Sequence, residues 1–289
     1  MRKRVTGFGM ANAAFMTGLM LITIYPFWYM LNISFSSEFY VIRNEVWFWP
    51  RGFTLMWYKE VFLDGRIGAG YRNTIAYTAV GTVLSLIITS LGAFALSQQK
   101  MMFRKPLLLA IVFTILFSGG MIPSFLVAKQ VGILDSIWSI VLPGAVSTFH
   151  LLVFRTFFQS IPEPLYDAGK VDGLQDFGLF IRIVVPLSKP VYAAIGLFQA
   201  VALWNDFYKP ILYLKSPDKF PLTIVMRDLI IQGTLSARPG AQSAADASML
   251  LSDSLKFATI MASTLPILLL YPFLQKYFVK GVLLGSVKE

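Results

Sequence analysis

The stretch "YDAGKVDGLQDFGLFIRIVVPLSKP" runs over residues 166–190 and carries Asp167, Lys170, Asp172, Asp176, Arg182 and Lys189. Most of the chain around it is apolar and nearly free of charge, so this charged insert decides how the rest is read. Ser160 and Glu163 have the S-x-x-E spacing of a helix-capping box. Pro162 and Pro164 suit a first helical turn, where a missing N–H matters little. Leu165, Ala168 and Val171 recur every third residue and predict one short apolar face. Gly173 can end that helix in a left-handed conformation. Phe177, Phe180, Ile181 and Val184 then fall at i, i+3, i+4 and i+7, the pattern of a second amphipathic helix, which Pro186 and Pro190 should break. The prediction is a helix–Gly–helix hinge within 155–189. Pattern alone leaves two readings open: a loop lying on the membrane surface, or a rigid knob presented to a partner.

The surroundings place this hinge in a membrane protein. The 289 residues are 56% hydrophobic and 14% charged, against about 25% charged in typical soluble domains. A bilayer core of about 30 Å requires about 20 apolar residues as helix, and lipid offers no partners to an unpaired backbone, so the spans should be helical. Six candidates emerge, near 11–33, 73–99, 106–128, 136–154, 190–208 with continuation to 214, and 257–275. The fold expected is all-α, a single membrane domain over 1–289. The first apolar run is too long for an ordinary signal-peptide core and lacks a clean small-residue cleavage site, so it reads as a retained helix.

Basic residues orient the spans. Arg2, Lys3 and Arg4 precede the first span, Lys100, Arg104 and Lys105 fill the turn after the second, and Lys276, Lys280 and Lys288 follow the sixth. Six spans put all three groups on one side, which the positive-inside rule makes the cytoplasm. Both termini and the hinge then lie inside, and the loops 34–72 and 215–254 lie outside. The same distribution accounts for the net charge of +10 without a nucleic-acid partner. With no cysteine and one histidine, disulfides are excluded and a conventional metal cluster is not expected.

Polar groups inside apolar spans are costly and tend to face a cavity or partner. Gln199, Trp204, Asn205 and Asp206 are the candidates on the fifth span, with 199, 202, 203, 206 and 210 on one helical face by 3–4 spacing. They read either as the lining of a solute path or, for Asp206, as an interface anchor or helix contact. His150 reads as a hydrogen-bonded structural residue. Gly119, Gly120 and Pro123 permit a kink in the third span, through close packing or as a pivot. The small, polar "SARPGAQSAADAS" (236–248) reads as an external contact or a linker.

The hinge resembles the EAA loop of ABC-importer permeases of the carbohydrate subgroup. Asp167-Ala168-Gly169 stands where Glu-Ala-Ala is usual, Val171-Asp172-Gly173 matches closely, and Pro186-Leu187-Ser188 with Pro190 follows the same pattern. Residues 117–163 and 203–214 are similar to the polysaccharide branch, and "YFVKGVLLGSVKE" (277–289) to the ending of the maltose-permease G type. The resemblance implies a type I permease whose hinge sits in a cleft of an ATPase subunit through Glu163, Asp167, Ala168, Gly169, Asp172, Gly173 and Phe177. It implies a second related permease, two ATP-binding-cassette subunits, an external solute-binding protein and a carbohydrate cargo, with alginate among the candidates. No G-x-x-x-x-G-K-[ST] phosphate loop occurs, so ATP and Mg belong to the partner ATPase and no cofactor is expected in this chain. The rivals are a secondary transporter or channel, which calls for mid-span coupling charges or an inverted repeat, and a membrane scaffold without transport. No acid–base or nucleophile–base constellation supports an enzyme.

Overall fold

The computed structural model describes residues 7–117, 119–236, 253–266 and 268–269. The described residues are mostly helical and contain no strand. α1 (Gly7–Ser34) is followed by two short helices, α2 (Glu38–Ile42) and α3 (Met56–Leu63), and then by α4 (Gly65–Ser97). α1 and α4 are each long and apolar enough to cross a membrane unbroken. No proline or acidic residue interrupts α4 over its 33 residues. Residues 34–72, expected as a loop, are thus largely helical.

The next spans are bent pairs. α5 (Arg104–Leu116) and α6 (Met121–Gln130) flank Gly119 and Gly120, and Gly120 takes φ +79°. α7 (Ile137–Val141) with a 3₁₀ turn at Leu142–Gly144 meets α8 (Thr148–Gln159) at 53°. The fourth span was expected as one helix. Pro143 supplies no N–H to the ladder, and Ser147 starts α8 by accepting the His150 N–H on its side chain. The carbonyls freed at this break are taken up by side chains: Gln199 Nε2 donates to Gly144 O (3.1 Å) and Thr89 Oγ1 to Ala145 O (3.4 Å). Lipid would supply neither bond.

The hinge comprises α9 (Glu163–Val171), α10 (Asp176–Leu179), a π-helical turn at Phe180–Val184 and α11 (Val185–Leu187). Pro186 does not break this segment; the widened turn ahead of it carries the chain through to Leu187. The break falls at Ser188, where the chain turns by 82° into α12 (Lys189–Trp204). α13 (Tyr208–Tyr213) and α14 (Leu222–Ser236) follow. Part of the expected outer loop 215–254 is therefore helical. Counting each bent pair once gives up to five spans. Residues 253–266 and 268–269 are helical, and the rest of the expected sixth span, the 277–289 ending and most of "SARPGAQSAADAS" lie outside the described residues.

The chain packs as two compact units, one built from the chain up to Gly68 with the stretch from Val225, the other from Ala69–Ile224. In the first, Ile33, Val41 and Val46 form a small core with Tyr29, Tyr40 and Phe257 against it. In the second, the largest core gathers Ala93, Phe94, Leu96, Leu151, Phe154, Phe158, Phe180, Val184, Val191 and Ile195. That core joins α4, α8, α12 and the π-helical turn of the hinge.

A polar clasp ties the 131–136 turn to 213–222 within the second unit. Asp135, at φ +55°, accepts the Lys215 and Ser216 backbone N–H groups (2.9 and 3.0 Å), the Ser216 hydroxyl (2.6 Å) and the Lys219 ammonium (2.8 Å). Asn73 Nδ2 donates to the Asp218 and Phe220 carbonyls, and Tyr77 to Lys219 O. The Lys219 ammonium, followed by the Ser216 hydroxyl and the backbone donors, holds the Asp135 carboxyl well below the usual carboxylate range. The sign follows: a depressed folded pKa stabilises the fold above the ordinary Asp value of about 3.9, and that contribution is lost as the pH falls below it. Asp135→Asn is expected to lower the melting temperature of the detergent-purified chain at neutral pH and to flatten its decline on acidification. An unchanged melting curve at both ends of the range would remove the clasp from the stability of the fold.

Candidate functional site

The hinge is built as a knob on a stiff base. α9 ends in a Schellman closure: Gly173, at φ +78°, donates to Lys170 O (3.0 Å) and Leu174 to Gly169 O (2.9 Å). The left-handed residue required there is glycine for steric reasons. The expected capping box does not form. Pro162 occupies the N-cap, where it offers no side-chain bond, and the Ser160 hydroxyl turns back to Phe157 O (2.6 Å). Glu163 is left in the first turn, where the helix dipole favours a negative charge.

Gly169 is the contact on which the two arms close. It is the one buried residue of α9. A Cβ there would lie 2.5 Å from Leu179 Cδ2 and 2.7 Å from Ile183 Cδ1. The departure from Ala in the third position of the motif thus has a packing cause: the second arm sits against bare backbone. Leu165, Ala168, Val171, Asp167, Asp172 and Phe177 are exposed on the knob. Val171 is 87% and Phe177 65% accessible. The Asp167–Lys170 pair, at 3.9 Å on this surface, adds little stability.

The base is tied into the span core. Phe180 packs on Phe94 with centroids 5.2 Å apart, and Phe154 meets Tyr192 at 4.7 Å. Tyr166 donates to Phe158 O (3.2 Å), and burial pushes its phenol pKa up, keeping it a neutral donor. Sequence reading missed a second tie. Arg104 and Arg155 both donate from Nε to Leu96 O (3.1 and 3.2 Å), at the end of α4 where the helix dipole favours cations. Gln159, with its carboxamide oxygen facing them, accepts from Arg104 (2.6 Å) and Arg155 (3.2 Å). Arg155 interrupts an otherwise uncharged run, and that was the available signal.

Gln199 and Asp206, expected together on one helical face with Trp204 and Asn205 off it, do not share a helix. α12 ends at Trp204, so Asp206 is not on the helix that carries Gln199. Asn205 bends its side chain back to Val201 O (2.9 Å). Asp206 pairs with the Lys209 ammonium (2.9 Å), and its carbonyl accepts the Thr223 hydroxyl (3.0 Å). Short polar side chains that compete for the backbone end helices in this way. Gln199 is buried on the Gly144 carbonyl, Trp204 is half-buried and Asn205 exposed. Lys209, a residue the sequence reading did not single out, is the cation at this junction. His150 is buried beside Phe198 and Phe149, but its Nδ1 has no hydrogen-bond partner, which departs from the hydrogen-bonded role expected.

The knob, the stiff base and the lipid-length helices coincide with a sequence match over most of the chain. The pattern of the family described as "Binding-protein-dependent transport system inner membrane component" matches residues 82–284. The chain belongs to this family of permeases. Protein LplC of Bacillus subtilis is 41% identical to the permease over 283 residues, 97% of this chain and 95% of that protein. The polygalacturonan/rhamnogalacturonan transport system permease protein YtcP of the same organism is 39% identical, over 97% and 98%. A crystal structure of a bacterial ABC transporter involved in the import of the acidic polysaccharide alginate contains a chain 30% identical, with TM-score 0.87 over 96% of the permease and 99% of that chain. The permease is therefore an inner-membrane transport subunit with the type I ABC permease fold, and its family is one of non-catalytic components.

Proposed function

We propose that this permease moves an acidic oligosaccharide or polysaccharide fragment across the membrane by alternating access, driven by two ATP-binding-cassette subunits that grip the hinge. A second, related permease completes the path, an external binding protein delivers the cargo, and ATP with Mg is held in the ATPase. Six spans with both termini in the cytoplasm put the hinge on the ATPase side.

One observation carries this reading: α9 exposes Leu165, Ala168 and Val171 outward while Gly169 seats it on the second arm, whose Phe180 and Val184 belong to the span core. A surface held this firmly transmits displacement instead of absorbing it. Such switching is a rigid-body change between two packings, and ATP favours one only by binding it more tightly. The acidic cargo class is supported by the polygalacturonan named for one relative and the acidic polysaccharide named for the solved structure. Alginate is one member of that class.

The test is reconstitution of the permease with its companion permease, ATPase pair and binding protein in liposomes. Uptake of uronate oligosaccharides is expected only with ATP hydrolysis. Uptake that persists without ATP would establish a secondary transporter or channel instead, and hydrolysis-coupled uptake of neutral glycans alone would remove the acidic cargo.

A further inference from the structure

The segment "EVWFWPRGF" (45–53) places four aromatic rings in the open. Trp47, Phe48, Trp49 and Phe53 are 60–72% accessible, and Phe39 and Ile42 beside them 54% and 72%. The segment is nevertheless well anchored. Val46 is buried with Ile33 and Val41, Ser37 donates to Arg51 O (3.0 Å), and Thr54 donates to Phe35 O (2.9 Å). These rings are therefore held outward.

Their position along α1 gives the depth. The Trp28 indole N–H donates to Phe48 O (2.8 Å), Trp28 meets Trp49 edge-on at 5.9 Å, and Tyr25 lies 5.9 Å from Phe48. Trp28 stands six residues before the end of α1 at Ser34, about 9 Å along the axis at 1.5 Å per residue. The 28 residues of α1 span about 42 Å, against about 30 Å of hydrocarbon. With equal overhang at both ends, the hydrocarbon boundary falls within a turn of Trp28. The segment thus folds back beside α1 to the level of that boundary.

The chemistry of the patch fits lipid. The Trp28 and Trp47 indole N–H groups are satisfied by the Phe48 and Asn44 carbonyls. The nearest charges are occupied: Arg51 with Glu45 at 3.0 Å, and Arg43 over the Phe39 ring at 4.0 Å. A sugar platform uses hydrogen-bonding groups on or beside its rings, and the two indole N–H groups here are already bonded to backbone carbonyls. The exposed apolar surface also continues directly from α1, whose residues up to Tyr25 are exposed almost throughout. Tryptophan at the headgroup level is the usual membrane-interface anchor.

We propose that residues 45–53 are a membrane anchor, with the rings of Trp47, Phe48 and Trp49 in the lipid interface at the Ser34 end of α1. The anchor fixes the depth of α1 and the loop together, independently of what the permease carries.

The chain contains no cysteine, so single-cysteine variants carry one spin label without further engineering. The full-length permease, labelled at residue 47, 48 or 49, is placed in vesicles of phosphatidylethanolamine and phosphatidylglycerol, and collisions with oxygen and with a water-soluble nickel chelate are measured. A label at Ile22, on the exposed face of α1, is the lipid reference, and one at Lys170 the aqueous reference. Labels at 47–49 are expected to show a severalfold excess of oxygen over nickel collisions relative to Lys170, approaching Ile22. Nickel access equal to that at Lys170 would overturn the proposal, and so would protection from both reagents, which marks a protein-covered surface. If a label at one of these positions prevents insertion, Ile42 and Phe53 report the same outcomes.

Discussion

Gly169→Leu is expected to leave the permease inserted in the membrane and to reduce coupled uptake by about tenfold or more. The added Cβ alone would sit 2.5 Å from Leu179 and 2.7 Å from Ile183, and the rest of the leucine must go between the arms. Overpacking of this kind costs typically about 1–3 kcal/mol, and about 1.4 kcal/mol is a factor of ten in an equilibrium. The cost falls on the closed hinge, because the side chains met there, Leu179 and Ile183, are not among the core that Phe94, Phe154 and Val191 form with Phe180 and Val184. Gly169→Ala should show a smaller loss, since the atoms it meets are the far ends of flexible side chains. Membrane level by immunoblot, uptake and ATPase rate together decide it. Normal uptake by the leucine variant would show that closure of the arms plays no part in transport.

The second large effect is expected from inserting two residues after Gly173. The Schellman closure depends on consecutive N–H groups of Gly173 and Leu174 reaching Lys170 and Gly169. Two extra residues displace Leu174 from that closure and give α9 a slack tether to α10. If the ATPase pair pulls on α9, hydrolysis then proceeds while the spans stay still. Hydrolysis is expected to continue at a rate no longer stimulated by loaded binding protein, with uptake near background. Stimulated hydrolysis with normal uptake would mean the knob is not where the motor acts. The two variants separate two failures: the leucine wedge distorts the grip surface, and the insertion leaves it intact but disconnected.

The helical class and the hinge were legible because both rest on local rules. Charge-free runs of span length are visible without tertiary knowledge, and α1 and α4 follow them. Gly173 was legible because a left-handed cap restricts residue type. The breaks inside the spans were not. Pro143 can sit in a kinked or a broken helix, and the choice depends on Gln199 and Thr89, distant in sequence, covering the Gly144 and Ala145 carbonyls. The single face expected for 199, 202, 203, 206 and 210 does not form for a related reason: the helix stops at Trp204, where Asn205 and Asp206 draw backbone bonds to themselves. The Arg104–Arg155–Gln159 knot was invisible because its shared acceptor is a backbone carbonyl, and carbonyls leave no mark in a sequence.

The turn at Ser188 has a mechanical meaning. The arm over Asp176–Leu187 meets Lys189–Trp204 at 82°, nearly a right angle, like the two limbs of a bell crank. Displacement along the first limb arrives at the second as a sideways push on its end, with almost no axial component. The 16 residues of that limb measure about 24 Å, so a pivot partway along it carries the opposite end in the reverse direction. A short stroke on one side of the bilayer would thereby become a tilt felt on the other.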